Sequence, residues 1–235
     1  MSSLELVFFA GFLISIGHSF ELFGFFFRLL GTQCGKPSVG YSSHVQIATF
    51  SRFSTLIAMP IVGYLLDIGA ASIYVILIPV IALSFFSLLC VLQIYLSYKK
   101  NMLVIFFRFF AKVVSRIDVY DSIHERDLVE LPKANKMKQI KIAGFLAYFI
   151  VSGGVFLIYI VSASFLDYRA MILQSAPILT AFGTFISVVF FDSAVSNTLD
   201  SYKVDMEFIR LIIISRLCAA LALLALFIIV LLFKW

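Results

Sequence analysis

Residues 71–97 read ASIYVILIPVIALSFFSLLCVLQIYLS, a run without one charged side chain. A helix needs about 20 apolar residues to cross a bilayer, and this run exceeds that. It is also continuous, whereas a barrel strand alternates apolar and polar positions. Outward from it lie five more stretches of the same kind, near 4–28, 43–66, 142–165, 171–191 and 207–232. The composition agrees: the chain is 62% hydrophobic and only 13% charged, with a mean hydropathy of +1.07. A soluble domain carries about 25% charged residues, so this chain cannot cover a water-facing globule. The expectation is an all-α, polytopic integral membrane protein of about six transmembrane helices. Residues 1–235 form a single transmembrane domain, which leaves no room for a soluble catalytic domain, and no enzyme activity is expected.

Charge is concentrated in one place. Residues 99–141 hold ten Lys/Arg against five Asp/Glu, and this excess equals the formal net charge of +5 for the whole chain. A basic loop in a membrane protein indicates the cytoplasmic face and anionic membrane lipids as its partners, not nucleic acid. Placing it in the cytoplasm and alternating outward collects Arg28, Lys36, Lys203 and Arg210 on the same side. Only Arg169 and Lys234 go to the other side. Both termini are then expected outside. Within the loop, residues 102–117 place Arg108, Lys112 and Arg116 at i, i+4 and i+8 among aromatic and branched residues. That pattern predicts a cytoplasmic amphipathic helix lying in the interface, or else a solvated extension of the third span. The N-terminus lacks a basic n-region and its apolar run is long for a signal peptide, so it reads as the first helix.

Two halves of three spans would have opposite topology, a 3+3 inverted arrangement found in many transporters. Its only echo in sequence is one proline (Pro60, Pro177) and one terminal aspartate (Asp67, Asp192) in the second and fifth spans.

The informative residues are ionisable groups within spans: His18 and Glu21 in the first, Arg52 in the second and Arg216 in the sixth. Each such charge at the bilayer centre costs about 2.5–3.5 kcal/mol on insertion scales. At 1.5 Å per residue, all four fall at one depth between the cytoplasmic interface and the midplane. His44, Ser51, Arg52 and Thr55 share a stripe of the second span, which must face other helices or a water-filled cavity. We expect a cavity open to the cytoplasm and walled by spans one, two and six, with Pro60 and Gly63 beyond it as a kink. Arginine forks match phosphate geometry and stay charged in a dry site. Arg52 and Arg216 would therefore bind an anionic headgroup, with Arg28 and Lys36 attracting it at the mouth. Glu21 would pair with an arginine in the empty site, and His18 would couple a proton. The alternative is a Glu21–Arg52 or Glu21–Arg216 pair that only fixes helix packing. His18 serves equally well as a packing residue, and His44 and His124 are expected to be interfacial and solvated.

Other chemistry finds little support. Gly31-x3-Gly35-Lys36-Pro37 is one residue short of a nucleotide-binding loop and has proline where Ser/Thr must hold magnesium. No metal motif is present and no cofactor is expected. The three cysteines lie far apart, without a CxxC pair. Gly153-Gly154 is expected to mark close helix packing. Thr180, Gly183, Thr184 and Ser187 mark either the same or a second cavity wall.

Taken together, His18-Ser-Phe-Glu21, Arg28, Gly31, Gly35-Lys36, Ser51-Arg52, Pro60, Gly63 and Asp67 form a set that resembles the N-terminal pattern of the Amj ("alternate to MurJ") family of bacterial lipid II flippases. The resemblance covers residues 18–67; beyond them only span count and hydrophobicity are compatible. It implies a multi-pass protein of the bacterial cytoplasmic (inner) membrane. Such a protein would move lipid II, the undecaprenyl-pyrophosphate-linked peptidoglycan precursor, from the cytoplasmic to the outer leaflet by alternating access. Alternatives are a carrier of another polyprenyl-linked glycan, or of a small soluble anion by proton coupling. The reading leaves room for a homo-oligomer.

Overall fold

A computed structural model describes residues 2–33, 37–69, 72–98, 134–201 and 204–233. They are helical almost throughout. Helix α1 spans Ser3–Gln33, α2 Pro37–Asp67, α3 Ser72–Tyr98 and α4 Ala134–Ser164. A 3-10 turn, Leu166–Tyr168, leads into α5 (Arg169–Gln174), α6 (Ala176–Ile186), a π-helical segment (Ser187–Asp192) and α7 (Ser193–Ser201). Helix α8 runs Met206–Phe233. The pieces from Arg169 to Leu199 stack into one membrane-length helix, so among the described residues six helices are long and apolar enough to span a bilayer. The chain is a multi-pass membrane protein.

Five of the six spans are longer than the apolar stretches that mark them, and α3 equals its own at 27 residues. Helix α1, at 31 residues, is about 46 Å long against a hydrocarbon core of about 30 Å, so its ends project into the headgroup region. Helix α4 likewise begins at Ala134, within the stretch expected to be loop, and carries Lys136, Lys138 and Lys141 on its first turns. The amphipathic helix expected at 102–117 lies outside the described residues, as does most of the basic loop.

The bundle is organised around α1, which packs most extensively on α2 and then on α3, while α8 packs on α3 and α4 and the fifth span leans on α4. Small residues make this possible. Gly17, Gly24 and Gly31 recur every seven residues and form a seam for α2. Gly24 lies against His44 and Gly17 against Ser51 and Ser54, and a Cβ on Gly40 would stand 2.8 Å from the Gly31 Cα. In a bilayer, helices associate through such close packing rather than through the hydrophobic effect. Gly153-Gly154 behaves as expected: Gly153 receives Leu223 of α8, and Gly154 receives Leu179 of α6. Gly183 completes the second contact against Val151 of α4.

Loops on each side are tied across the bundle. At one end Gln33 Nε2 donates to the Val204 carbonyl at 3.2 Å, joining the α1–α2 turn to the α7–α8 turn. At the other end Arg169 Nη1 donates to the Leu66 carbonyl at 2.7 Å, and Nη2 pairs with Asp67 at 3.4 Å. That pair is partly exposed. Exposed pairs contribute about 0–1 kcal/mol, so Asp67→Asn is expected to change thermal unfolding by no more than a degree or two, read by fluorescence-detected melting in detergent.

One sequence landmark falls elsewhere than expected. Asp192 does not end the fifth span: helix continues to Ser201. Pro177 stands at the first turn of α6, where it lacks no needed hydrogen bond, while Pro60 lies inside α2. The paired landmarks of the two halves therefore occupy different places in their spans. Helix α2 is one continuous element through Pro60 and Gly63.

Candidate functional site

Four charged residues of the membrane interior converge on the C-terminal half of α1. Glu21 Oε1 accepts a hydrogen bond from Arg216 Nη1 of α8 at 2.8 Å. Two turns further on, Arg28 pairs with Asp192 of the π-helical segment at 3.7 Å and donates to Ser196. Two arginines thus face two carboxylates, a balanced network contributed by the first, fifth and sixth spans.

Aromatic rings wall it. The Arg216 guanidinium lies 5.6 Å from the ring centroids of Phe25 and Tyr148 and 5.5 Å from that of Phe191. Arg28 sits 5.9 Å from Phe25 and 5.1 Å from Tyr41 of α2. The negative faces of these rings complement the cations where water is excluded. His18 packs edge-on against Tyr148 and Phe86, at 5.3 and 5.7 Å, and His44 lies 4.7 Å from Phe25. Gly144 clears the ground: a Cβ there would meet both Phe191 and Ser215 at 2.9 Å. Ser215 Oγ in turn donates to the Lys141 carbonyl at 2.6 Å.

The two signs differ in accessibility. The Arg28 and Arg216 side chains are only 5% and 4% exposed, while Glu21 and Asp192 are 37% and 29% exposed. The carboxylates are thus the more exposed members of the network and the guanidinium groups the buried ones. Arg216 Nε is buried with no hydrogen-bond partner among the described residues. A guanidinium has five donors, so the site holds more donors than its carboxylates engage.

The structure sorts the expected residues into four fates. Glu21 and Arg216 pair, one of the two pairings expected for Glu21. Arg28, expected at the mouth, is buried in the network. Lys36 lies outside the described residues. Arg52 does not join Glu21: it is exposed on α2, and among the described residues neither carboxylate of the network pairs with it. The cause is register. Ser51 is buried against α1 and bonds the Ala48 carbonyl, and the next residue on a helix turns by about 100°, which carries Arg52 off that face. The stripe His44, Ser51, Arg52, Thr55 is thereby split, with His44 and Ser51 buried, Thr55 half-buried and Arg52 exposed. His44 is also a correction in environment, buried rather than interfacial and solvated.

The wall expected from spans one, two and six is wider than that. Tyr148 of α4 and Phe191 and Asp192 of the fifth span take part, and their sequence signals are faint. Asp192 reads as a helix end because the hydropathy falls there. The π-helical turn, a feature often found at functional sites, instead keeps the helix going and brings Phe191 and Asp192 inward. Comparison with family models, with characterised proteins and with solved structures yields no match.

Proposed function

We propose that this is a membrane transporter that binds the phosphate groups of an anionic lipid headgroup between its first, fifth and sixth spans. Lipid II, the substrate implied by the resemblance to the Amj flippases, is the specific substrate in this reading. The observation that carries it is the pair of buried arginines, Arg28 and Arg216, each held by a more exposed carboxylate, with Arg216 Nε still free to donate. In the empty protein Glu21 and Asp192 neutralise the arginines, which keeps the buried charges tolerable. An arriving pyrophosphate replaces those carboxylates, and bidentate guanidinium–phosphate bonds take over. Release of Glu21 and Asp192 from their partners then loosens α1 from the fifth and sixth spans, the elements whose rearrangement alternating access requires. Transport is from the cytoplasmic to the outer leaflet of a bacterial inner membrane, with both termini outside. The distribution of Lys and Arg supports that orientation. Outward movement of an anion from a negative interior is favoured by about 2.3 kcal/mol per charge per 100 mV.

The test is rescue of a bacterium depleted of its own lipid II flippases. Wild-type chain should restore lipid II on the outer leaflet, and Arg28→Gln at equal membrane level should not. Rescue by Arg28→Gln as complete as by wild type would remove the phosphate assignment. A charge-balanced network flanked by two histidines also fits a proton-coupled carrier of a small soluble anion. Competition by soluble pyrophosphate in the absence of lipid would favour that second reading.

A further inference from the structure

Arg52 is the exception to the network, and its position is informative. It stands midway along α2, about 22 Å from either end, and is exposed at a depth where lipid cannot solvate it. Two contacts show which way it faces. Tyr41 of α2 lies 5.1 Å from Arg28, and the Tyr159 hydroxyl of α4 donates to Met59 of α2 at 3.1 Å. Tyr41 and Met59 are about five full turns apart and so share one helical direction, and Arg52 lies about 20° from that line. It therefore lies on the flank of α2 that runs between these two contacts.

That flank is bracketed at both ends by contacts that lead to the fifth span. At the inner end Arg28 touches Tyr41 on one side and Asp192 and Ser196 of the fifth span on the other. At the outer end Arg169, the first residue of α5, binds the Leu66 carbonyl and Asp67 of α2. The accessible Glu21 and Asp192 carboxylates belong to the same inner region.

We infer that the flank of α2 carrying Arg52 is a lateral entrance from the bilayer, and that Arg52 docks the phosphate of a lipid headgroup there before Arg28 and Arg216 receive it. This deepens the proposed function and rests on it. Charge complementarity selects the occupant. Arg52 requires an anion at mid-membrane depth, and a phosphate on a polyprenyl tail reaches it sideways while the tail stays in lipid. A second copy seated symmetrically on this flank would instead bring two Arg52 groups together.

The experiment uses the full chain in phosphatidylcholine nanodiscs with radiolabelled undecaprenyl pyrophosphate as probe. A photocrosslinking amino acid is placed at Thr55, on the flank of Arg52, or at Phe50, on the opposite side of α2. Capture of lipid at Thr55 is expected to exceed that at Phe50 by about tenfold. It should fall about tenfold in Arg52→Gln, the scale of one strong charge-assisted contact, and be partly kept in Arg52→Lys. Excess inorganic pyrophosphate should compete poorly if the lipid is the ligand; complete displacement would overturn the lipid assignment. Arg52→Gln should melt like wild type, which separates binding from folding. Equal capture at the two positions, unchanged capture in Arg52→Gln, or a crosslink to a second copy would overturn the entrance. If the lipid binds but is not captured at Thr55, the entrance falls and the proposed function stands. If wild type does not retain the lipid at all, both fall.

Discussion

Arg216→Ala is expected to destroy the folded protein, whereas Glu21→Gln combined with Arg216→Met is expected to restore folding without restoring transport. The single substitution leaves the Glu21 carboxylate facing a membrane interior without its 2.8 Å partner. Breaking a buried pair in this way costs about 3–5 kcal/mol, while replacing both members by apolar or neutral residues of similar volume is often neutral. Arg216 also loses its packing against Phe25, Tyr148 and Phe191, a contribution that methionine largely retains. Thermal unfolding in detergent, together with membrane accumulation, reads the stability. The outer-leaflet lipid assay reads transport. A double variant that transports normally would show the pair to be a packing device and nothing more.

The second large effect is expected at the α1–α2 seam. Gly40→Leu adds a side chain whose Cβ would stand 2.6 Å from the Phe27 carbonyl oxygen, 2.8 Å from the Gly31 Cα and 3.2 Å from the Arg28 carbonyl oxygen. These are backbone atoms of α1 and cannot step aside by changing rotamer, so the two helices must separate. Overpacking of a well-filled core costs about 1–3 kcal/mol even where side chains can adjust, and here they cannot. The separation also displaces Arg28 from Tyr41 and Asp192, so any chain that folds should lose transport. Gly63→Leu is the matched control: a Cβ there meets nothing within 4 Å, and it should unfold within a degree or two of wild type. Equal melting of the two variants would mean that the seam does not hold the hairpin together.

The residues of the seam are legible in the sequence. Gly17, Gly24 and Gly31 recur at the seven-residue interval that returns to one helical face, and such small-residue stripes mark close approach in membranes. A reading led by charge passes over them. Arg52 and Asp192 are harder. Ser51 and Arg52 are neighbours, and both are polar in an apolar helix, so a periodicity argument cannot say which of the two turns inward. The answer depends on the glycines of the facing helix, which admit a serine and not a guanidinium. Asp192 resembles the end of a span because charge and falling hydropathy coincide there. Its actual place comes from the π-helical turn, which shifts the helical register by a fraction of a turn and leaves no mark in composition.

Composition and the length of the apolar runs determined that this chain is a helical multi-pass membrane protein, because a bilayer tolerates no unsatisfied backbone and so admits only long helices or closed barrels. They also determined that His18, Glu21, Arg52 and Arg216 must face other helices, water or a ligand, since nothing in lipid solvates them. That Arg28 is buried beside Asp192 emerges only from the structure. Which arginine meets which carboxylate was decided by tertiary structure alone. Partner choice depends on the rotation of each helix about its axis, and that rotation is fixed by the fit of glycines, serines and aromatic rings across the bundle. A shift of one residue turns a side chain by about 100°, and it was such a step that put Ser51 in the core and Arg52 at the surface.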